Sequence, residues 1–191
     1  MFKELIKYAF ILMVVTLTAS GTLALVHSIT AEKIEFEKRK ELRQGLSYVL
    51  PGSLNGVIIT VESDNYIYYE GYANRDTTQL IEYAFSSFAK GYSSTIWTLV
   101  GLDTTGSISR IKILDQKETP GLGTRCTEIK SGENEAWWEV QFQGKDVRTV
   151  SVDKDDGNII SITGATITSR AITNSIAEQA TTLLNHLKSQ E

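Results

Sequence analysis

The pattern of apolar and polar positions divides the chain sharply. From Tyr8 to Ala31 there is no Asp, Glu, Lys or Arg. A helix rises about 1.5 Å per residue, so about 20 apolar residues cross the hydrocarbon core of a bilayer. The run is long enough to span. A cleaved signal peptide would have an apolar region of only about 7–15 residues ending in a small-x-small site. The stretch exceeds that length, and Ile29-Thr30-Ala31 is a poor cleavage signal. A retained anchor is therefore expected. Beyond it, Ala31 to Leu46 is rich in helix formers, with Glu35 four places before Arg39 and with Ile34, Leu42 and Leu46 near one face. This predicts a helical stalk that continues the span and stops at Pro51-Gly52.

The period then changes. Val57 to Glu62 is β-branched, Asp64-Asn65 is a turn signal, and Tyr66 to Tyr72 reads as the hairpin partner. Leu80 to Phe88 fits either strand or helix. Thr95 to Leu102 and Ser107 to Leu114 read as strands joined through Asp103-Thr104-Thr105-Gly106. Trp137 to Phe142 and Val147 to Val152 are predicted to pair about Gly144-Lys145, and the turn Asp155-Asp156-Gly157-Asn158 leads into Ile159 to Ile162. From Thr168 onward, Ile172, Ile176, Ala180, Leu183 and Leu187 recur at three and four, widened by Leu184, as one stripe of an amphipathic helix. The expected class is α+β: one N-terminal transmembrane helix, then one domain with a mostly antiparallel sheet and flanking helices. The expected segments are 1–31 for the cytoplasmic N-terminus and span, 32–54 for stalk and linker, and 55–191 for the outer domain.

Charge adds orientation. Lys3, Lys7 and the amino terminus precede the span against Glu4 alone, whereas the far flank mixes Glu32, Glu35, Glu37 and Glu41 with its basic residues. The bias favours a cytoplasmic N-terminus and an extracytoplasmic domain in a single-pass protein of the cytoplasmic membrane. With 19 basic and 23 acidic residues the net charge is −4, which advertises no nucleic-acid partner. The single Cys126 excludes an intramolecular disulfide framework and a cysteine-held cluster, and reads as a small buried hydrophobe. His27 and His186 stand at opposite ends, so no histidine-rich metal site is expected. Asp153-Lys154-Asp155-Asp156-Gly157 is not a calcium loop, because its Gly falls one place early and the twelfth position is Gly164. G-x-S-x-G, H-E-x-x-H and a paired His and Cys are all missing, so no side-chain triad is in view. Of Trp137 and Trp138, strand alternation would bury one and expose the other.

Two segments carry candidate chemistry. Glu118-Thr119-Pro120-Gly121-Leu122-Gly123 contains Pro-Gly, which favours a type II turn. It is either only that turn or a place where two glycines let backbone approach a flat ligand, with Leu122 presented between them. Ser161 to Arg170 lies just before the final helix. Its hydroxyls suit an N-cap. The same helix start, with unpaired N–H groups and the positive end of the dipole, also suits a phosphate, held by hydrogen bonds or joined to a threonine.

Thr163-Gly164-Ala165-Thr166, followed by Ile167-Thr168-Ser169-Arg170-Ala171, resembles the flavinylation motif of FMN-binding domains. Such domains occur in the RnfG proteins of the Rnf complex and in the NqrC proteins of the sodium-pumping NADH:quinone reductase. The stretches Gly101 to Gly106, Ile111 to Leu114, Lys117 to Gly123 and Trp138 to Lys145 resemble the Rnf form. The resemblance implies covalent FMN on Thr166 through a phosphoester, attached by a flavin transferase that uses FAD and a divalent metal. It implies a cofactor site of Thr163, Gly164, Ala165, Thr166, Thr168 and Ser169, with Glu118, Thr119, Gly121, Leu122 and Gly123. The family usually places Asp three residues before the motif, where this chain has Ile160.

The implied function is that of an electron carrier, not a stand-alone enzyme. It would serve a complex that passes electrons between ferredoxin and NAD and couples them to Na⁺ or H⁺ movement. Its partners would be the other membrane and iron–sulfur or flavin proteins of that complex. The alternatives are an NqrC-type component of the quinone reductase, or a membrane-tethered binding or sensing module without redox chemistry.

Overall fold

A computed structural model describes residues 2–63 and 66–189. The predicted turn Asp64-Asn65 lies outside the described residues. The chain divides between Glu41 and Leu42 into two compact units.

Helix α1 (Phe2–Val49) contains the apolar run, whose side chains are exposed. It is long and apolar enough to cross a membrane. In the second unit, Leu46 and Val49 at its end, with Leu50, are buried against Tyr69, Ala84 and Leu99. A short 3-10 turn, Pro51–Ser53, follows where Pro-Gly was expected to stop the helix.

Five strands then form one antiparallel meander in chain order: β1 (Val57–Ser63), β2 (Tyr66–Tyr72), β3 (Leu80–Lys90), β4 (Thr95–Asp103) and β5 (Ile108–Asp115). The ambiguous segment from Leu80 is thus a strand. It pairs with β4 along its length, from Glu82 opposite Asp103 to Lys90 opposite Thr95. The alternation of side chains explains the two cores. Ile96, Val100 and Leu102 face one core, while Leu99 faces the other, where α1 ends. Gly101 shares that second face because a Cβ there would meet the Val49 carbonyl.

Helix α2 (Thr166–Lys188) covers the first face. Its Ile172, Ile176, Ala180 and Leu183 are buried with Phe85, Val100 and Ile111, as the periodic stripe predicts. Ser175 on this helix meets Ser87 on β3, oxygen to oxygen at 2.7 Å.

The expected strand pair Trp137–Phe142 and Val147–Val152 is not formed. Glu139–Phe142 is a 3-10 turn, and residues 147–152 contribute only a single bridge, Val152 to Ile159. Ile159 to Ile162 likewise adds only that bridge. Two contacts displace the expected strand. Trp138 and Phe142, four apart, pack edge to face with ring centroids 5.1 Å apart, a helical rather than an alternating relation. The buried Glu139 carboxylate accepts the Ile113 N–H of β5 at 2.9 Å, so that edge group is satisfied by a side chain instead of a sixth strand. Trp138 is fully buried and Trp137 only partly, as expected, but through this turn and not through a pleat. Lys130 Nζ lies 4.3 Å from the Trp137 ring centroid. Burial, reinforced by Glu139, pushes the Cys126 thiol up to about 12.

Candidate functional site

Three segments distant in sequence meet beside the start of α2. They are the β3–β4 turn, the loop after β5, and residues 164–168. Together they enclose a cleft of about 520 Å³ lined by Tyr92, Glu118, Thr119, Leu122, Gly123, Gly164, Ala165, Thr166, Ile167 and Thr168. That volume lies in the ordinary range for small-molecule sites.

The loop after β5 is shaped by its own sequence. Leu122 N–H donates to the Thr119 carbonyl at 3.1 Å, and Gly121 has φ of 74°, which is the type II turn expected of Pro120-Gly121. The turn leaves Leu122 42% exposed at the cleft. Gly164, also at positive φ (79°), sits opposite. A Cβ there would stand 3.0 Å from Leu122 Cδ2, so the glycine keeps that wall open.

Glu118 is the hub. Its side chain is almost wholly buried, yet it has no cationic partner among the described residues. Oε2 accepts from Tyr92 N at 3.0 Å and from Thr168 Oγ1 at 2.6 Å. Oε1 accepts from Ser93 N, Ser94 N and Ser94 Oγ at 3.1, 2.9 and 2.9 Å. Burial alone would raise the carboxyl; the hydrogen bonds from Thr168, Ser93 and Ser94 outweigh it and hold the group at about 2. It is ionised at any physiological pH.

The start of α2 is bare. Ala165 occupies the N-cap position and no side chain caps the helix. Two hydroxyls of the first turn serve other groups. Thr168 serves Glu118, and Ser169 Oγ accepts Ile162 N–H at 2.9 Å while donating to the Ala165 carbonyl. The Thr166 side chain makes no hydrogen bond among the described residues and lines the cleft. The first N–H groups of the helix therefore keep their capacity for an anion.

Of the residues expected at the site, Glu118, Thr119, Leu122, Gly123, Gly164, Ala165, Thr166 and Thr168 line the cleft. Thr163 is exposed outside it, Gly121 shapes the turn without lining, and Ser169 is buried in the helix start. Tyr92 and Ile167 were not anticipated as site residues. Tyr92 is 71% exposed in a turn marked in the sequence by Gly91, Ser93 and Ser94, residue types that announce a turn but not a site. Ile160, at the position of the usual motif Asp, is exposed, while its backbone is held by Trp138 Nε1 (2.9 Å to its carbonyl) and Gln141 Oε1 (2.9 Å from its N–H).

Comparison with known proteins places this geometry. The FMN-binding domain family matches residues 91–180, which contain every residue of the cleft, and the RnfG N-terminal region matches residues 1–49. The G subunit of the ion-translocating oxidoreductase complex of Pseudoalteromonas atlantica is 30% identical over 93% of this chain and 88% of its own length. The chain belongs to the RnfG family, the G subunits of ion-translocating oxidoreductase complexes. Family members from Shewanella piezotolerans (29% identical, 91% of this chain, 87% of the relative) and Pasteurella multocida (28%, 96% and 95%) extend over nearly all of it. The crystal structure of Shewanella oneidensis NqrC shares the fold, with a TM-score of 0.50 and 16% identity over 68% of this chain and 69% of that one. As a family member the chain is a membrane-anchored component of such a complex, with an FMN-binding domain. The cleft fits that cofactor. Tyr92, Leu122 and Ile167 offer apolar walls to a flat ring system, a Cβ at Gly164 would fill part of the space, and the uncapped helix start suits a phosphate.

Proposed function

We propose that this RnfG-family protein is an electron carrier whose FMN is joined through its phosphate to Thr166. One observation carries the reading: the Thr166 hydroxyl has no partner among the described residues and stands at an uncapped helix start, on the wall of the cleft in the FMN-binding domain. The bare N–H groups of the first helical turn would hold the phosphoryl oxygens. Tyr92, Leu122 and Ile167 would exclude water from the ring. Attachment by a flavin transferase forms a P–O bond at Thr166 Oγ1, breaks the pyrophosphate bond of FAD, releases AMP and frees the hydroxyl proton. The flavin supplies the redox chemistry, so no acid–base triad is needed.

The carrier sits in an Rnf-type complex with other membrane and iron–sulfur or flavin proteins. In this reading residues 1–31 are the cytoplasmic N-terminus and transmembrane helix, 32–54 the stalk helix and linker, and 55–191 the extracytoplasmic FMN-binding domain. Residues 8–31 hold no Asp, Glu, Lys or Arg, so ion movement belongs to the partner proteins.

Intact mass and mapping of the 159–170 peptide test the attachment, on protein made in cells that contain a flavin transferase. The wild type should carry the FMN mass through denaturation, and Thr166→Ser should keep it. Thr166→Ala should lose both the mass and the in-gel fluorescence. Full retention of flavin by Thr166→Ala overturns the assignment.

A further inference from the structure

The buried carboxylate of Glu118 is a costly object. An ion removed from water without an opposite charge is strongly unfavourable. This one is kept by five hydrogen bonds converging from two other segments. The surroundings are fitted to it. A Cβ at Gly91 would lie 2.6 Å from Oε1, and one at Gly123 would lie 2.6 Å from Glu118 Cβ. The two oxygens are not equivalent. Oε1 is held by Ser93 and Ser94, which do not line the cleft. Oε2 is held by Tyr92 N and Thr168 Oγ1, which belong to residues that do. A fixed negative charge thus stands in the cleft wall. It cannot serve as a partner for the phosphate, which carries the same sign.

Each electron added to the isoalloxazine brings one negative charge unless a proton follows. A fixed anion in a water-poor wall disfavours that addition. We propose that Glu118 is a charge-tuning residue of the flavin site, whose carboxylate holds the midpoint potential of the cofactor low. The inference rests on the flavin reading above. It assigns to Glu118 an electrostatic role in addition to joining the segments.

The test is a mediated reductive titration with dithionite, following flavin absorbance in the detergent-solubilised full chain. Denaturing-gel fluorescence reports separately how much flavin each variant carries. Glu118→Gln removes the charge and should raise the potential. A tenfold gain in the preference for reduced over oxidised flavin corresponds to about 59 mV for one electron. Ser94→Ala lies away from the cleft and removes one donor while leaving the charge less neutralised, so it should lower the potential. Shifts of opposite sign support the proposal, since general loosening of the site would move both variants the same way. Flavin-loaded Glu118→Gln with an unchanged or lower potential overturns it. If that variant does not fold, Ser94→Ala decides: a fall supports the proposal, and no change or a rise overturns it. A wild type that binds FMN only reversibly defeats the Thr166 linkage, yet the same titration still judges Glu118. A wild type that takes up no FMN defeats both.

Discussion

Thr168 Oγ1 donates to Glu118 Oε2 at 2.6 Å, joining the first turn of α2 to the loop after β5 across fifty positions of sequence. Both groups are buried. The bond is therefore charge-assisted and sheltered from competing water. Thr168→Val keeps the side-chain shape and deletes the donor. Hydrogen bonds to charged groups contribute about 1.5–3 kcal/mol, so the variant should lose about 2 kcal/mol. In a thermal melt of the detergent-solubilised chain this is a fall of about 4–8 °C in Tm. Thr168→Ser should recover most of it. An unchanged Tm for the valine variant would show that the bond contributes nothing net.

The same carboxylate gives the stability an acid dependence. Its folded value, about 2, lies below the ordinary 4.5. A depressed carboxyl stabilises the fold above its unfolded value and loses that contribution as pH falls through the folded one. The contribution of Glu118 is therefore complete above pH 4.5 and shrinks toward pH 2. Asp103, Asp146, Asp153 and Asp155 are lowered too, by hydrogen bonds that Glu118→Gln does not touch. Melting series from pH 6 down to about pH 2 should then show a shallower decline for Glu118→Gln than for the wild type. Parallel declines would mean that the carboxyl is not depressed in the folded chain.

Much of this arrangement was legible in the sequence. The strands β1, β2, β4 and β5 announced themselves by β-branched and aromatic runs between turn residues, and α2 by its stripe from Ile172 to Leu183, whereas β3 stayed open between strand and helix because Leu80 to Phe88 shows no clean period. The Pro120-Gly121 turn is local, so local residue types sufficed, whereas the segment around Thr166 stands out through its resemblance to FMN-binding domains. Two failures have a common cause. Trp138 and Phe142 look like alternating strand residues until a buried Glu139 is seen to cap the β5 edge, a contact made 26 positions away. Tyr92 and the donors on Ser93 and Ser94 lie in a turn of ordinary composition. Their importance comes only from the carboxylate that folds back onto them from Glu118. The N-cap reading of the Thr-rich segment failed because the helix begins one residue after Ala165, which has no hydroxyl to offer, while Thr168, inside the first turn, is held by Glu118.

The two glycines flanking Leu122 are required for different reasons, and substitution should separate them. At Gly121 nothing lies within 4 Å of an added Cβ, but φ is 74°, so Gly121→Ala strains the backbone alone. At Gly123 no positive φ is involved, but an added Cβ would sit 2.6 Å from Glu118 Cβ and 2.9 Å from its Oε2. Left-handed strain of a non-glycine residue costs about 1 kcal/mol. Overpacking costs about 1–3 kcal/mol and here displaces the hub carboxylate. Urea unfolding should rank Gly123→Ala as the more destabilised. Gly123→Ala alone should flatten the acid dependence described above. Equal curves for both variants would count against Gly123 acting through Glu118.

Trp138 fastens the segment that enters the motif. Its ring is fully buried against Phe142, and its Nε1–H donates to the Ile160 carbonyl at 2.9 Å. Gln141 holds the same residue from a more exposed position, accepting the Ile160 N–H at 2.9 Å and reaching its carbonyl at 3.4 Å. Trp138→Phe removes the donor and part of the ring volume, so the lost hydrogen bond and the residual cavity add to about 2–4 kcal/mol. Gln141→Ala leaves groups that water can reach, and should cost less than about 1 kcal/mol. If Trp138 anchors the approach to Thr166, Trp138→Phe should also lower the fraction of chains that acquire flavin, read as fluorescence per protein band after denaturing electrophoresis. Gln141→Ala should leave that fraction near the wild-type value. A Trp138→Phe protein that is destabilised but fully flavinylated would confine this tryptophan to the core.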